Sequence, residues 1–274
     1  PVVDYVCPSV WAWKEYRAQA MLAYVDAVLA VLPFEPQVMR DLGGPPTHFV
    51  GHRLATHESL LRTRALRAQR PAAGLDDPKT ILLLPGSRGA EINALLPVFG
   101  AVMQEFVARN GPTRFLLPTV SRQEVRVRAM IAGWELKPDV LMGEDAKWQA
   151  FAEADAAIAA SGTVILELAL ASVPVVSTYK ADFLMRMVSH RIKTWTGALP
   201  NLIADYPVVP EYLNDHVRPG NLMRMAERLA ADTLQRRAML EGFDLVWQRL
   251  QTERPSGDEG SRIVLELLAR RGRL

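Results

Sequence analysis

The sequence predicts an α/β protein built on a doubly wound parallel sheet. Three observations carry this reading. Short, wholly apolar runs such as residues 80–84 and 156–160 alternate with helical stretches along most of the chain. These runs lack the apolar–polar alternation of a one-sided sheet, so they read as strands buried on both faces. Ile92, Leu95, Leu96, Phe99, Val102, Met103 and Phe106 follow the spacing of one helix face. Right-handed crossovers then place helices on both sides of the sheet.

Taken in order, residues 1–6 read as a strand, 14–23 as a helix, 25–33 as a strand, 36–42 as a short helix and 47–51 as a strand. The composition shifts after Gly51-His52-Arg53. Residues 53–74 carry Arg53, Arg62, Arg64, Arg67 and Arg70 against a single acid, Glu58, and read as a basic amphipathic helix after a domain boundary. Strands follow at 80–84, 114–117, 140–142, 156–160 and 173–178, with helices at 122–133 and 145–154 between them. Pro97 lacks an N–H and fits a helix's first turn, so that helix is expected to start near Asn93 and leave residues 85–92 as a loop. From residue 219 onward the pattern is helical and charged. The expected division is 1–52, 53–235 and a helical end at 236–274.

Composition narrows the function classes. Hydrophobic residues make up 49% and charged residues 23%, which excludes a disordered or fibrous chain. The formal net charge of +2 gives no support to a nucleic-acid binder. The single cysteine, Cys7, excludes a disulfide framework and a Cys-rich zinc site. His48, His52, His57, His190 and His216 show no metal spacing, and no Ser/His/Asp set or Gly-x-Ser-x-Gly elbow is present. The opening on Pro1, directly into a strand, gives the expectation of a chain that begins inside a longer protein, with no signal peptide visible. Residues 156–177 are long enough for a bilayer span, but Ser161-Gly162-Thr163, Glu167 and Pro174 favour strand, turn, buried helix and strand.

Ligands of open parallel sheets sit beyond the carboxyl ends of the strands. Two loops meet that rule. The first is Pro85-Gly86-Ser87-Arg88-Gly89-Ala90-Glu91. Gly86 and Gly89 permit close backbone approach, the following helix offers free N–H groups, and Arg88 offers a planar fork for phosphate oxygens. A plain turn with a solvated arginine weighs equally at this point, and the loop is not a P-loop. The second is Ser161-Gly162-Thr163 leading into a largely apolar helix that carries Glu167. Val164 stands where a capping box needs Ser or Thr, so Glu167 is not a cap. A buried carboxylate needs partners; a ligand diol or an arginine elsewhere would serve. Asn201, beside Pro200, reads as a turn residue. Trp11, Trp13 and Tyr16 would suit either the core or a sugar or acyl pocket.

These segments, in this order, resemble the lipid-A-disaccharide synthase family. The resemblance rests on Tyr5-Val6-Cys7-Pro8-Ser9-Val10-Trp11-Ala12-Trp13, Leu32-Pro33-Phe34-Glu35, Phe49-Val50-Gly51-His52 and Leu83-Leu84-Pro85-Gly86-Ser87-Arg88-Gly89-Ala90-Glu91-Ile92. It extends through Ala160-Ser161-Gly162-Thr163 with Glu167, Tyr179-Lys180 and Leu199-Pro200-Asn201-Leu202, to about Glu211. Within the matched stretch the departure is Arg53, where the family has Pro after Gly-His; Cys7 in place of the family's Ser is conservative.

The resemblance implies a GT-B fold: a C-terminal Rossmann-like donor domain and the remnant of a second, acceptor-side Rossmann-like domain, with roughly the first third of the family's length absent. It implies an inverting glycosyltransferase that moves 2,3-diacylglucosamine from its UDP carrier to 2,3-diacylglucosamine 1-phosphate. Gly86, Ser87, Arg88, Gly89, Ser161, Gly162, Thr163 and Glu167 are then expected to bind the UDP part. Arg88 and Asn201 are expected to serve catalysis, Asn201 by a polar contact to donor or acceptor, with the base in the absent segment. No metal or other cofactor is expected. The expected setting is the cytoplasmic face of the inner membrane, peripherally bound, with a homodimer left open. The patches offered for membrane docking are Arg62/Arg64/Arg67/Arg70 and Phe183-Leu184-Met185-Arg186-Met187 with Arg191 and Lys193. The other readings are a different GT-B enzyme using UDP-N-acetylglucosamine, and a nucleotide-binding fragment without turnover.

Overall fold

The computed structural model describes residues 1–181 and 193–270. They form two units. Residues 1–57, 193–196 and 247–270 make the first; 58–181 and 197–246 make the second.

The first unit is a three-stranded parallel sheet in the order β1-β2-β3, with β1 Val3–Tyr5, β2 Ala27–Ala30 and β3 Thr47–Phe49. All four residues of β2 are buried, and the pleat sends them alternately to two cores. Val28 and Ala30 join Cys7, Val10, Ala18, Met21, Val25 and Met39, beside α1 Tyr16–Ala20 and α2 Glu35–Asp41. Leu29 faces the other way and packs with Val50 and Ile263. Ile263 belongs to the last helix, Ser256–Arg270, which approaches β2 closely: a Cβ on Gly260 would sit 3.4 Å from Leu29 Cδ1. The helical end is therefore no separate domain. The unit boundaries fall at 57/58 and 246/247, against the 52/53 and 235/236 of the sequence reading, because residues 256–270 cover one face of the first sheet.

The second unit holds a six-stranded, all-parallel sheet. Its strands are β4 Lys79–Leu84, β5 Thr113–Thr119, β6 Asp139–Met142, β7 Ala156–Ala160, β8 Val175–Tyr179 and β9 Glu211–Leu213, ordered β6-β5-β4-β7-β8-β9. Read from β4, this is the doubly wound order 3-2-1-4-5-6, with its switch point between β4 and β7. The helices are α3 Glu58–Gln69, α4 Gly89–Asn110, α5 Glu124–Ile131, α6 Glu144–Glu153, α7 Thr163–Leu170, α8 Leu199–Ala204, α9 Pro219–Ala230 and α10 Leu234–Leu250, and Ser256–Arg270 is α11. Helix α4 packs with α9, and α3 packs with α6 and α7. Residues 156–177 form strand, helix and strand, as expected. Helix α4 has the length and composition of a membrane span, but its stripe from Ile92 to Phe106 is fully buried in the core.

Two sequence expectations change here. Helix α4 begins at Gly89, not near Asn93, with Pro97 in its interior. Pro97 and Asn93, whose carbonyl Pro97 cannot engage, both lie on the exposed face, where water can serve that carbonyl. The basic stretch 53–74 does hold a surface helix, α3, with Leu60, Thr63 and Arg67 on its buried side, but most of its arginines are engaged within the fold. Arg67 is 9% exposed and donates to the carbonyls of Phe151 (2.9 Å), Ala152 (3.4 Å), Ala154 (2.6 Å) and Ser172 (2.9 Å). Burial, then Arg236 and Arg70, lower its pKa to about 9, so it stays charged at neutral pH. Arg70 pairs with Asp155 at 2.8 Å, and Arg64 donates to Leu170 O, Ser172 Oγ and Asp244. These arginines tie α3 to the C-terminal ends of α6 and α7 and the residues that follow them. Arg62 is the most exposed of the four, at 69% of its side chain, and pairs with Glu58 on its own helix.

Candidate active site

The strand order puts the site where the two sequence-selected loops meet. Strands β4 and β7 are hydrogen-bonded neighbours, so the loops after them flank the switch point. A cavity of about 610 Å³ opens there, within the volume range of small-ligand sites. Its walls are the loops beyond the carboxyl ends of β4, β5, β6 and β7, all from the second unit. Gly86, Ser87, Arg88, Ser161, Gly162, Thr163 and Glu167 line it. Gly89 opens α4 directly behind them.

The loop after β4 is held by its own carboxylate. Glu91, on the first turn of α4, accepts the N–H groups of Ser87 (3.2 Å) and Arg88 (3.3 Å) and pairs with the Arg88 guanidinium at 2.8 Å. Gly86 makes this possible: its φ is +108°, and a Cβ would come within 2.8 Å of Glu91 Cβ. Arg122 Nη2 (3.2 Å) and Gln123 Nε2 (3.4 Å) brace the loop from outside by donating to the Ser87 carbonyl. Glu91 thus engages the Ser87 and Arg88 amides, and the loop presents the Arg88 side chain, 79% exposed, at the cavity wall. The Arg126 guanidinium stands beside Gly89 at the helix start and donates to Asn93 Oδ1 at 3.1 Å.

The loop after β7 presents the start of α7. Gly162 is the N-cap, with no side chain bonded across the helix start. Residues 163 and 164 follow it on the cavity wall. A helix start with its dipole directed at the cavity suits an anion. One turn in, Glu167 projects from a helix whose Ile165, Leu166, Leu168, Ala169 and Leu170 are buried. Its Oε2 meets Lys147 Nζ at 3.2 Å. Lys147 also pairs with Glu144 at 2.7 Å and lies 4.7 Å from the Trp148 ring centroid. The Thr119 hydroxyl, in the same wall, is buried with no hydrogen-bond partner among the described residues.

Asn201 is not in the cavity wall. It is 1% exposed on α8; its Nδ2 donates to Val209 O (3.0 Å), and its Oδ1 accepts from Val208 N (2.9 Å) and Val209 N (2.7 Å). It therefore positions the chain entering β9, and the direct ligand contact expected of it is withdrawn. Lys147, Thr119 and Arg122 escaped the sequence reading, and Glu91 was named there only as the end of its loop. Lys147 and Glu167 stand twenty positions apart on different helices, and only strand order brings them together. Glu91 was visible as an acid three residues after the N-cap position, but the expected helix start at Asn93 hid that relation.

In the first unit, Trp11 packs edge-on to Phe34 at 5.6 Å and donates to Glu35 Oε1 at 3.3 Å. Trp13 and Tyr16 are 45% and 69% exposed, so neither is core. The second proposed docking patch lies outside the described residues except for Lys193, which pairs with Glu15 at 2.6 Å. No cluster of three or more His, Cys, Asp or Glu suited to a metal occurs among the described residues.

The family model for lipid-A-disaccharide synthetase matches residues 1–259. A lipid-A-disaccharide synthase of Nitrobacter winogradskyi is 42% identical over 270 residues, covering 98% of this chain and 67% of that protein. One of Ruegeria pomeroyi is 38% identical over 276 residues, covering 97% and 68%. The chain thus spans about two thirds of the length of these curated relatives. Among solved structures, Acinetobacter baumannii MurG matches with a TM-score of 0.55 at 17% identity, covering 98% of this chain and 67% of that one. S. aureus MnaA, in a co-structure with UDP, matches at 0.54 and 14%, covering 93% and 62%. At such identities these two likenesses speak to the fold alone, which is GT-B. The sequence relatives go further, and by their extent and identity this chain belongs to the lipid-A-disaccharide synthases, glycosyltransferases of lipid A biosynthesis.

Proposed function

We propose that the cavity at the β4/β7 switch point binds the UDP part of UDP-2,3-diacylglucosamine, whose sugar passes to 2,3-diacylglucosamine 1-phosphate. The observation that carries this is the meeting of Arg88, the α7 N-terminus and Glu167 in one cavity of about 610 Å³. Arg88 and the helix start take the diphosphate, and Glu167 takes the ribose hydroxyls. In the transfer, the bond from the donor's anomeric carbon to the diphosphate oxygen breaks as the acceptor's 6-oxygen bonds to that carbon from the opposite face. The configuration inverts, and the disaccharide is β-1,6-linked. The electron pair of the broken bond leaves with UDP, so negative charge develops where Arg88 and the α7 dipole point. None of the cavity residues is assigned as the base that takes the acceptor proton. The reaction runs without a metal in this reading, with the helix start and Arg88 as the electrophilic groups. We place the enzyme peripherally on the cytoplasmic face of the inner membrane, where both acylated substrates partition.

The test follows UDP release and disaccharide formation with UDP-2,3-diacylglucosamine and with UDP-N-acetylglucosamine, in the full-length enzyme, wild type and Arg88→Ala. The acylated donor is expected to be used, and the variant to lose roughly 100-fold or more in kcat. Equal use of the two donors would overturn the acylated-donor reading. Near-normal turnover by Arg88→Ala would overturn the diphosphate role.

A further inference from the structure

We propose that Lys147 is a positioning residue of the donor site: it fixes the Glu167 carboxylate for the ribose diol, so the site tells ribose from 2-deoxyribose through it. The inference rests on the reading of Glu167 as the ribose ligand. Glu167 is 21% exposed at its side chain and stands on a helix that is otherwise mostly buried. A half-buried carboxylate on such a helix needs a hydrogen-bonding counter-charge to be held in one rotamer. Lys147 supplies it from the neighbouring helix α6, reaching Oε2 at 3.2 Å.

Lys147 is itself held in place. Its ammonium has three donors. One goes to Glu167 and one to Glu144 at 2.7 Å, while the Trp148 ring lies 4.7 Å away as a cation–π partner. Glu144 is 75% exposed, so water and salt screen its grip. The Lys147–Glu167 contact, with both partners near one-fifth exposed, is the less screened of the two. A carboxylate that accepts both hydroxyls of a diol uses both oxygens in one plane. Pinning Oε2 sets that plane before the nucleotide arrives, and the ordering cost is not met again on binding.

The experiment is titration of the chain with UDP and with 2′-deoxy-UDP, in wild type, Lys147→Met, Lys147→Arg and Glu167→Gln, after circular dichroism has shown each to be folded. Methionine keeps an unbranched apolar stem of similar length and removes the ammonium, with its charge, its donors and its contact to the Trp148 ring. Wild type is expected to prefer UDP by roughly tenfold or more, as for a lost charge-assisted hydrogen bond. Lys147→Met should weaken UDP and leave 2′-deoxy-UDP nearly unchanged, so the preference falls toward that of Glu167→Gln. Lys147→Arg should recover part of it. Equal weakening of both nucleotides by Lys147→Met would overturn the inference, since a structural or diphosphate role does not sense the 2′-hydroxyl. A wild type that does not distinguish the two nucleotides, with Glu167→Gln also silent, would instead remove the ribose role of Glu167 itself.

Discussion

Replacing Arg67 with methionine should cost the second unit about 4 kcal/mol, while the same change at Arg62 should cost under about 0.5 kcal/mol. The contrast follows from what each guanidinium touches. Three of the Arg67 bonds, to Phe151, Ala154 and Ser172, are 2.9 Å or shorter. Each buried carbonyl left without a donor costs about 1–3 kcal/mol, and the guanidinium's own desolvation, no longer incurred, offsets part of the sum. Arg62 makes one pair, to Glu58, with side chains 69% and 87% exposed. Against a total stability of about 5–15 kcal/mol, the Arg67 loss is a large fraction and the Arg62 loss is near the noise. Urea unfolding followed by far-ultraviolet circular dichroism reads both, with co-sedimentation on anionic vesicles measured in parallel. A folded Arg67→Met variant with wild-type stability and weakened vesicle binding would refute the structural role and restore the docking patch.

Glu35 gives a pH test of the first unit. Burial raises its carboxyl from the ordinary range to about 7, against the N–H groups of Leu32 and Trp11 that favour the charged form. The native state thus prefers the proton more than the unfolded chain does. Its contribution is full below about pH 4.5 and is lost as pH rises through about 7, by about 3 kcal/mol relative to Glu35→Gln. A stability difference between the two proteins that stays constant from pH 4 to pH 8 would contradict this. At the other loop, Gly86→Ala forces a Cβ against Glu91 at a backbone φ of +108°. Calorimetry should show UDP affinity reduced by roughly tenfold or more, since the strained loop must move. Wild-type affinity in that variant would show that the loop's shape does not matter to the ligand.

The sheet of the second unit was legible because its strands are continuous apolar runs; β7 was placed to the residue. The two loops were legible because a parallel sheet exposes them at its carboxyl edge, whatever the strand order. Contacts across the chain were not. Arg67 finds its carbonyls 84 to 105 positions away, so its sequence neighbourhood showed only a run of bases. The Lys147–Glu167 pair depends on β6 and β7 lying on opposite sides of β4 and β5, which no periodicity encodes. Asn201 read only as a turn residue on its own, and its ligand role came from the family resemblance; neither carries a sign that its amide bonds the backbone of residues 208 and 209. Helix α8 and strand β9 were missed because each is short. The place of α11 was missed because its mate, Leu29, is far away in sequence.

The most direct test of the donor-site assignment is calorimetric titration of this chain with UDP in EDTA, beside its Arg88→Ala variant. The account predicts one metal-independent site, weakened roughly tenfold or more when the guanidinium is removed. A folded chain that binds no UDP, binds only with a divalent cation, or binds equally well without Arg88 would contradict it.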